Sequence, residues 1–428
     1  WDASFFLWLS CAVVFLWYLP PKNPSKSLLK QKEAKVRMSD SSAKSPTATG
    51  LGDMMPQFAM SEMKLGRTVG QGGFSVVFKI DNIDLNEVYE TGEKESKARS
   101  DFAASIRENH YVLKTLRTDL PEEEYVKGIV DLAIEAEFLG VIKHPNIISM
   151  RAMANSDPHE SRFFVVLDRL VSTLDRKFNH WRKDVGDNSG VWLGPFGYCC
   201  AKEQFLYQTW VERITAARDI ANAIYYLHSN AIVYRDLKPD NLGFDASGTL
   251  KLFDFGLAKR LDPEYMTHDG VYFLTGNTGS LRYMAPEVAR GDPYNQRVDS
   301  YSFGILFWQI CSLQTPFAGF STRMHAEQVV QKGQRPRVEV SWPLSWSDMM
   351  TRAWHPDLNS RPDFDEISVF LDEQVENLRN NEGEVPSRAS EIKAKKKNKP
   401  KVTERLDVDT RISTTEDTTS KRFESDVV

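Results

Sequence analysis

Strand-like apolar runs come first along the chain, at 64–69, 75–80, 111–116, 147–153 and 163–170. Helical spacing of apolar positions follows a short first instance at 131–142 and dominates later, at 210–229, 300–313 and 364–378. A β-rich part followed by an α-rich part predicts a two-lobed α+β protein over 61–378, with the lobes meeting near residues 170 and 171. Two stretches break the pattern. Residues 84–109 are charged and read as a long loop after the second strand. Residues 179–208, with Gly186, Gly190, Gly194, Pro195 and Gly197, read as an insertion.

The flanks are different in kind. Residues 5–19 are apolar apart from Ser10 and close on Pro20-Pro21, and Lys22, Lys26, Lys30, Lys32, Lys35 and Arg37 follow. Two readings of 1–37 stand side by side: a clipped membrane anchor, or a translated leader ahead of a true start at Met38. As an anchor the run is short of the roughly 20 residues a bilayer needs, and its basic flank would leave the rest of the chain in the cytosol. Residues 38–60 are rich in Ser, Thr, Ala, Gly and Pro and read as linker. Residues 379–428 are polar and read as a disordered tail. Lys393, Lys395, Lys396, Lys397, Lys399 and Lys401 within it suit nuclear import, an anionic lipid surface, or simply solvent.

Composition narrows the classes. Hydrophobic residues at 41% and charged residues at 26% are ordinary for a globular protein. A net charge of −5 gives no reason to expect a nucleic-acid partner. Cys11, Cys199, Cys200 and Cys311 are too few and too badly spaced for a disulfide framework or a zinc site, so the working part belongs in a reducing compartment.

Candidate chemistry lies in the folded region. Gly70-Gln71-Gly72-Gly73-Phe74-Ser75-Val76-Val77 sits between two strand-like runs. Its glycines let backbone N–H groups approach phosphate oxygens, although any tight hairpin can be glycine-rich. Tyr111-Val112-Leu113-Lys114 is a strand ending in one lysine, and Glu135 lies on the following helical stretch, so the two can pair across the gap. Further on, Tyr234-Arg235-Asp236-Leu237-Lys238-Pro239-Asp240-Asn241 is followed by Lys251-Leu252-Phe253-Asp254-Phe255-Gly256. Asp236 can accept a hydroxyl proton and Lys238 can neutralise a transferring phosphoryl group. Asn241 and Asp254 offer hard oxygen ligands for magnesium.

On these motifs the chain resembles the eukaryotic protein kinase family over 61–378. The resemblance implies ATP and Mg2+ as cofactors and proteins as substrates. It implies nucleotide contacts from Gly70, Gln71, Gly72, Gly73, Phe74, Ser75, Val77, Val112 and Lys114, with Leu167, Asp168 and Leu170 around the hinge. Ala285-Pro286-Glu287 resembles the end of the activation segment, Asp299 the buried anchor of the catalytic loop, and Arg361 the partner of Glu287. Lys238-Pro239-Asp240-Asn241 is similar to the Ser/Thr form of the loop. The stretches around Arg282-Tyr283-Met284 and Trp354 are similar to the tyrosine-kinase-like, Raf-like group. An upstream kinase acting on Thr275 or Thr278 is implied as a switch that Arg235 would read, with Ser280 lining the substrate pocket.

Three departures from the family pattern stand out. Ser75 replaces the third loop glycine, and Tyr234 replaces a histidine that stacks under Phe255. Gly243 stands where a leucine normally floors the adenine pocket, so either neighbours remake that floor or nucleotide affinity suffers. The rival reading is a pseudokinase scaffold on the same fold, which loss of Lys114, Asp236 or Asp254 would have signalled.

Overall fold

The computed structural model describes residues 55–85, 93–106, 110–187, 194–380 and 383–397. The first six strands are β1 (Gln57–Phe58), β2 (Met63–Gln71), β3 (Ser75–Ile83), β4 (Tyr111–Leu116), β5 (Met150–Ala154) and β6 (Phe164–Asp168). They form one sheet in the order β1-β5-β6-β4-β3-β2, with β1 parallel to β5 and every other pairing antiparallel. Side chains alternate between the faces of a strand, and residues directly opposite share a face. Lys114 pairs with Val77 and Val112 pairs with Leu167. One face therefore carries Val77, Val112, Lys114 and Leu167, all residues singled out by the sequence.

The opposite face is covered by an element the sequence reading missed. The stretch 84–109 is not one long loop, because Glu93–Ser105 form helix α1. Arg99, Phe102, Ala103 and Ile106 follow the i, i+3, i+4, i+7 stripe of an inward face, and the arginine in that stripe disguised it. Arg99 is buried against Glu62 at 2.5 Å and lies over the Phe58 ring, while the Phe102 ring meets Tyr111 at 5.0 Å. Helix α2 (Glu122–Val141) is longer than the expected 131–142. Three glutamates in its first turn suit the positive end of the helix dipole, and Leu132, Glu135, Ala136 and Leu139 make its buried stripe.

The second lobe opens with β7 (Ser172–Thr173), α3 (Leu174–Asp187) and α4 (Gly194–Ser229). Most of the stretch 179–208, read as an insertion, is thus helix. Leu174, Phe178 and Trp181 give α3 its buried stripe, and the nearby glycines masked it. Short strands β8 (Ile232–Val233), β9 (Leu242–Phe244), β10 (Leu250–Leu252) and β11 (Lys259–Arg260) frame the loops below the cleft, with β9 between β10 and β7. Helices α5 (Pro286–Arg290), α6 (Arg297–Ser312), α7 (Leu344–Ala353) and α8 (Phe364–Asn380) complete the lobe.

Helix α6 is buried from Val298 to Cys311 and forms its centre. Arg213 of α4 donates to the Ile310 carbonyl at 2.7 Å and to that of Cys311, satisfying carbonyls at the end of α6. Burial pushes its pKa down to about 10. Arg361 holds Glu287 through two bonds of 2.5 and 2.9 Å, both groups buried.

Order extends beyond the boundaries expected at both ends. Gln57–Phe58 already belong to the sheet, so the linker expected over 38–60 stops short of them. Beyond 379, where disorder was expected, Arg388–Lys397 form helix α9. Glu391 accepts the free N–H groups of Leu344 at 2.6 Å and Ser345 at 3.3 Å, capping α7 from the tail. The apolar segment 1–37 with Met38, the linker to residue 54, and the tail from 398 lie outside the described residues. Among the described residues no helix is long and apolar enough to cross a membrane.

Removing one partner of a buried ion pair strands the other charge. Glu287→Gln should therefore cost about 3 kcal/mol of stability, read as a lower urea midpoint. A midpoint equal to that of the wild type would show that the pair contributes nothing net.

Candidate active site

The sheet face bearing Lys114 looks onto the cleft. Lys114 Nζ lies 2.5 Å from Glu135 Oε2 and 3.3 Å from Asp254 Oδ1, so one ammonium ties β4, α2 and the segment after β10 together. Burial works against the Lys114 charge, but Asp254 and Glu135 outweigh it and hold its pKa above the ordinary lysine range. The Lys114 charge in turn holds the Asp254 carboxyl below the ordinary carboxylate range. The structure thus brings Lys114, Glu135 and Asp254 together at one point.

The glycine-rich loop turns between β2 and β3. Gly70 and Gln71 still pair with Val77 and Val76, and the Gly72 N–H donates to the Ser75 carbonyl at 2.8 Å. Arg117, which the sequence reading did not single out, donates to the Gly73 carbonyl at 3.1 Å and pairs with Asp119. Phe74 folds back against α2, where a Cβ on Gly128 would come within 2.8 Å of its own Cβ. A glycine at 128 is what lets the loop lie this close to the helix.

Asp299 organises the loop below. Fully buried, it accepts the N–H groups of Tyr234 and Arg235 at 2.8 Å each and meets His228 Nε2 at 2.8 Å. Arg235 is held at φ 72, a conformation that non-glycine residues rarely adopt. Next to it, Asp236 is 7% exposed and ringed by donors. Lys238 Nζ lies 2.7 Å and Asn241 Nδ2 2.9 Å from its Oδ2, and Ser280 Oγ donates to its Oδ1 at 2.9 Å. Gly279, at φ 96, makes that last contact possible, since a Cβ there would sit 2.4 Å from the Arg235 carbonyl oxygen. Tyr234 meets Phe255 edge to face at 5.5 Å rather than stacked, and its hydroxyl donates to the Phe253 carbonyl at 2.5 Å.

In the segment between Asp254 and Glu287 the two threonine candidates separate. Thr275 is exposed, and its Oγ1 accepts from Arg235 Nη1 at 2.9 Å. Thr278 instead bonds locally, to the carbonyls of Thr275 and Gly276. Tyr294, a residue without a sequence signal, donates to the Thr275 carbonyl and accepts from Arg235.

Asn241 donates from Nδ2 to the Asp236 backbone and side chain, so its Oδ1 is left as an acceptor. Asp254, kept ionised by Lys114, is the second oxygen donor. Among the described residues no group of three or more His, Cys, Asp or Glu could hold a metal alone. The pair fits magnesium, which takes one or two protein oxygens together with substrate phosphates. At the hinge, Leu167 is buried in the sheet, Asp168 is held bidentately by Arg151 at 2.8 Å, and Leu170 lies just beyond. An open groove of about 610 Å³ along Leu139, Ile142, Met150 and Lys251 lies beside the end of α2.

A sheet lobe whose lysine meets a helix glutamate, closed from below by an Asp–Lys–Asn loop on a helical lobe, is the architecture of a protein kinase. The protein kinase domain pattern matches residues 63–369, and the chain belongs to that family. Curated relatives agree. Serine/threonine-protein kinase STY46 of Arabidopsis thaliana is 36% identical over 174 residues, 41% of this chain and 29% of that protein. Serine/threonine/tyrosine-protein kinase HT1 of the same organism is 34% identical over 181 residues, 42% of this chain and 44% of that protein. Probable serine/threonine-protein kinase drkD of Dictyostelium discoideum is 26% identical over 318 residues, 74% of this chain and 20% of that protein. The matched stretch thus spans less than half of each relative.

Asp131, one turn before Glu135, packs against Gly256 and was not anticipated as a titrating group. Burial, and then the Asp254 charge, push its pKa up to about 6 from an ordinary 3.8. A raised carboxyl favours the fold when neutral. That contribution is complete below pH about 4 and lost as pH rises through about 6. Asp131→Asn should stabilise the protein at pH 7 by about 1–2 kcal/mol and flatten its stability profile between pH 4 and 7. An unchanged profile in chemical denaturation would show that Asp131 titrates normally.

Proposed function

We propose that this chain transfers the γ-phosphoryl group of ATP to serine and threonine hydroxyls of protein substrates. The observation that carries the reading is the convergence of Lys238, Asn241 and Ser280 on one aspartate, Asp236, close to the Lys114–Glu135–Asp254 cluster. Asp236 orients the acceptor hydroxyl and takes its proton on a carboxylate oxygen. As the acceptor oxygen bonds to the γ-phosphorus, the bond from that phosphorus to the β,γ-bridging oxygen breaks and ADP leaves. Lys238 offsets charge on the transferring group. Lys114, positioned by Glu135, holds the α- and β-phosphates, and the backbone of Gly70–Ser75 covers them. Magnesium, when bound, neutralises the phosphate oxygens, and Asn241 and Asp254 are the residues that would hold it. The completeness of this cluster favours turnover over a pseudokinase scaffold, which only the Ser75 and Gly243 departures support.

Because this chemistry is mainly positioning and electrostatics, Lys114→Met and Asp254→Asn should each lower phosphate transfer by about a hundredfold or more. Both variants should remain folded by circular dichroism. Transfer at the wild-type rate in either, with contaminating kinases excluded, would sink the reading.

We further propose Thr275 as the residue an upstream kinase modifies. Its contact with Arg235, and the Tyr294 hydroxyl beside it, favour it over Thr278. A phosphate there would add nearly two negative charges and form one to three charge-assisted hydrogen bonds, ordering the segment that ends at Glu287. Phosphatase treatment and Thr275→Ala should both lower activity, and Thr278→Ala should not. Full activity after both treatments would mean that the segment needs no phosphate.

A further inference from the structure

Strand β9 carries a gap that another element fills. Asn241, just before β9, faces the catalytic centre, and Leu242 points away from it into the core, fully buried. By strand parity Gly243 returns to the side of Asn241. Its partner across the sheet, Lys251, shares that side and reaches the Pro145 carbonyl in the sheet lobe. The face bearing Gly243 therefore looks toward the sheet lobe.

A Cβ built on Gly243 would lie 2.8 Å from Leu170 Cδ1, 3.0 Å from the Ser172 carbonyl oxygen and 3.4 Å from Phe253 Cε1. The first separation is shorter than real side chains tolerate, so the Leu170 tip already stands where a side chain on residue 243 would go. Leu170 enters from the hinge, where the Val171 N–H donates to the Phe244 carbonyl at 2.8 Å and fixes the hinge above β9.

We infer that the Leu170 side chain is an affinity determinant of the nucleotide site, standing in for the side chain absent at position 243. Its isobutyl tip, seated over Gly243 beside Phe253, forms the lower apolar wall against which the purine base rests. The inference depends on the nucleotide reading proposed above. Positions 170 and 243 are then a matched pair, a leucine on the hinge and nothing on the strand. The apolar end of the cleft is closed by a side chain whose backbone belongs to the interlobe connection, while the phosphate end is set by Lys114, Asn241 and Asp254.

The test is a double-mutant cycle on the full chain, reading KM for ATP and kcat with a generic protein acceptor, alongside MgATP affinity by calorimetry. Leu170→Ala should raise KM for ATP about tenfold, equivalent to ~1.4 kcal/mol, with kcat changed by about twofold or less. Gly243→Ala should raise KM several-fold, because its methyl displaces the leucine tip. The double variant should be no worse than Leu170→Ala alone, since the new methyl enters space the leucine has left. Melting temperatures of all three identify any loss of fold. Leu170→Ala with an unchanged KM, or effects that simply multiply in the double variant, would overturn the inference while leaving the kinase reading intact. A wild-type chain that binds no MgATP would remove both.

Discussion

A single buried carboxylate underlies the arrangement of the catalytic loop. Asp299 is fully enclosed on α6, where an unpaired charge would be prohibitively costly. It is tolerated because two backbone amides and a histidine ring nitrogen all meet it at 2.8 Å. Those amides belong to Tyr234 and Arg235, so the carboxylate fixes backbone rather than a flexible side chain. Arg235 can then be kept at a positive φ, a strained state that persists only where surroundings over-determine it. From that fixed backbone follow the direction of Asp236 toward its donors and the reach of the Arg235 guanidinium to Thr275. The rigid core helix thus sets the geometry of a loop that has little regular structure of its own.

Above the cleft the corresponding constraint is strand parity. Once β4 is paired on both sides, Lys114 must share a face with Val77, Val112 and Leu167. That places a slot with apolar walls beside a cationic end, without any residue needing an unusual conformation. Glu135 completes the arrangement from α2, so any shift of that helix is felt at Lys114 and, through it, at Asp254.

Much of this was legible in the sequence because the informative residues are close together along the chain. The catalytic loop, the Asp254 segment and the glycine-rich loop each occupy a few consecutive positions, and their spacing carries over directly into contacts. What escaped depends on distant neighbours. Helix α1 was read as loop because Arg99 interrupts its apolar stripe, and only Glu62, far back in the chain, explains a buried arginine. Helix α3 was obscured by glycines that follow its buried residues. Arg117 and Tyr294 gave no signal, since surface arginines and tyrosines are common and their roles appear only with the loop partners in place. Gly243 was recognised as a departure, but its meaning required the position of Leu170. Thr275 and Thr278 were equivalent in sequence and differ only in which one Arg235 can reach.

The Glu62–Arg99 pair also separates the family pattern from the physical unit. The pattern begins at Met63, yet the preceding eight described residues supply β1, the Phe58 ring under Arg99, and the carboxylate that Arg99 meets inside the lobe. Glu62 also accepts the Ala59 N–H at 2.8 Å, so the same side chain shapes the approach of the chain to its first long strand. The entering segment and the inserted helix are therefore interlocked, each supplying the buried surface the other needs. A fragment trimmed to the borders of the shared pattern would be missing a piece of its own interior, and recombinant versions of this lobe need to begin no later than residue 55 rather than at 63.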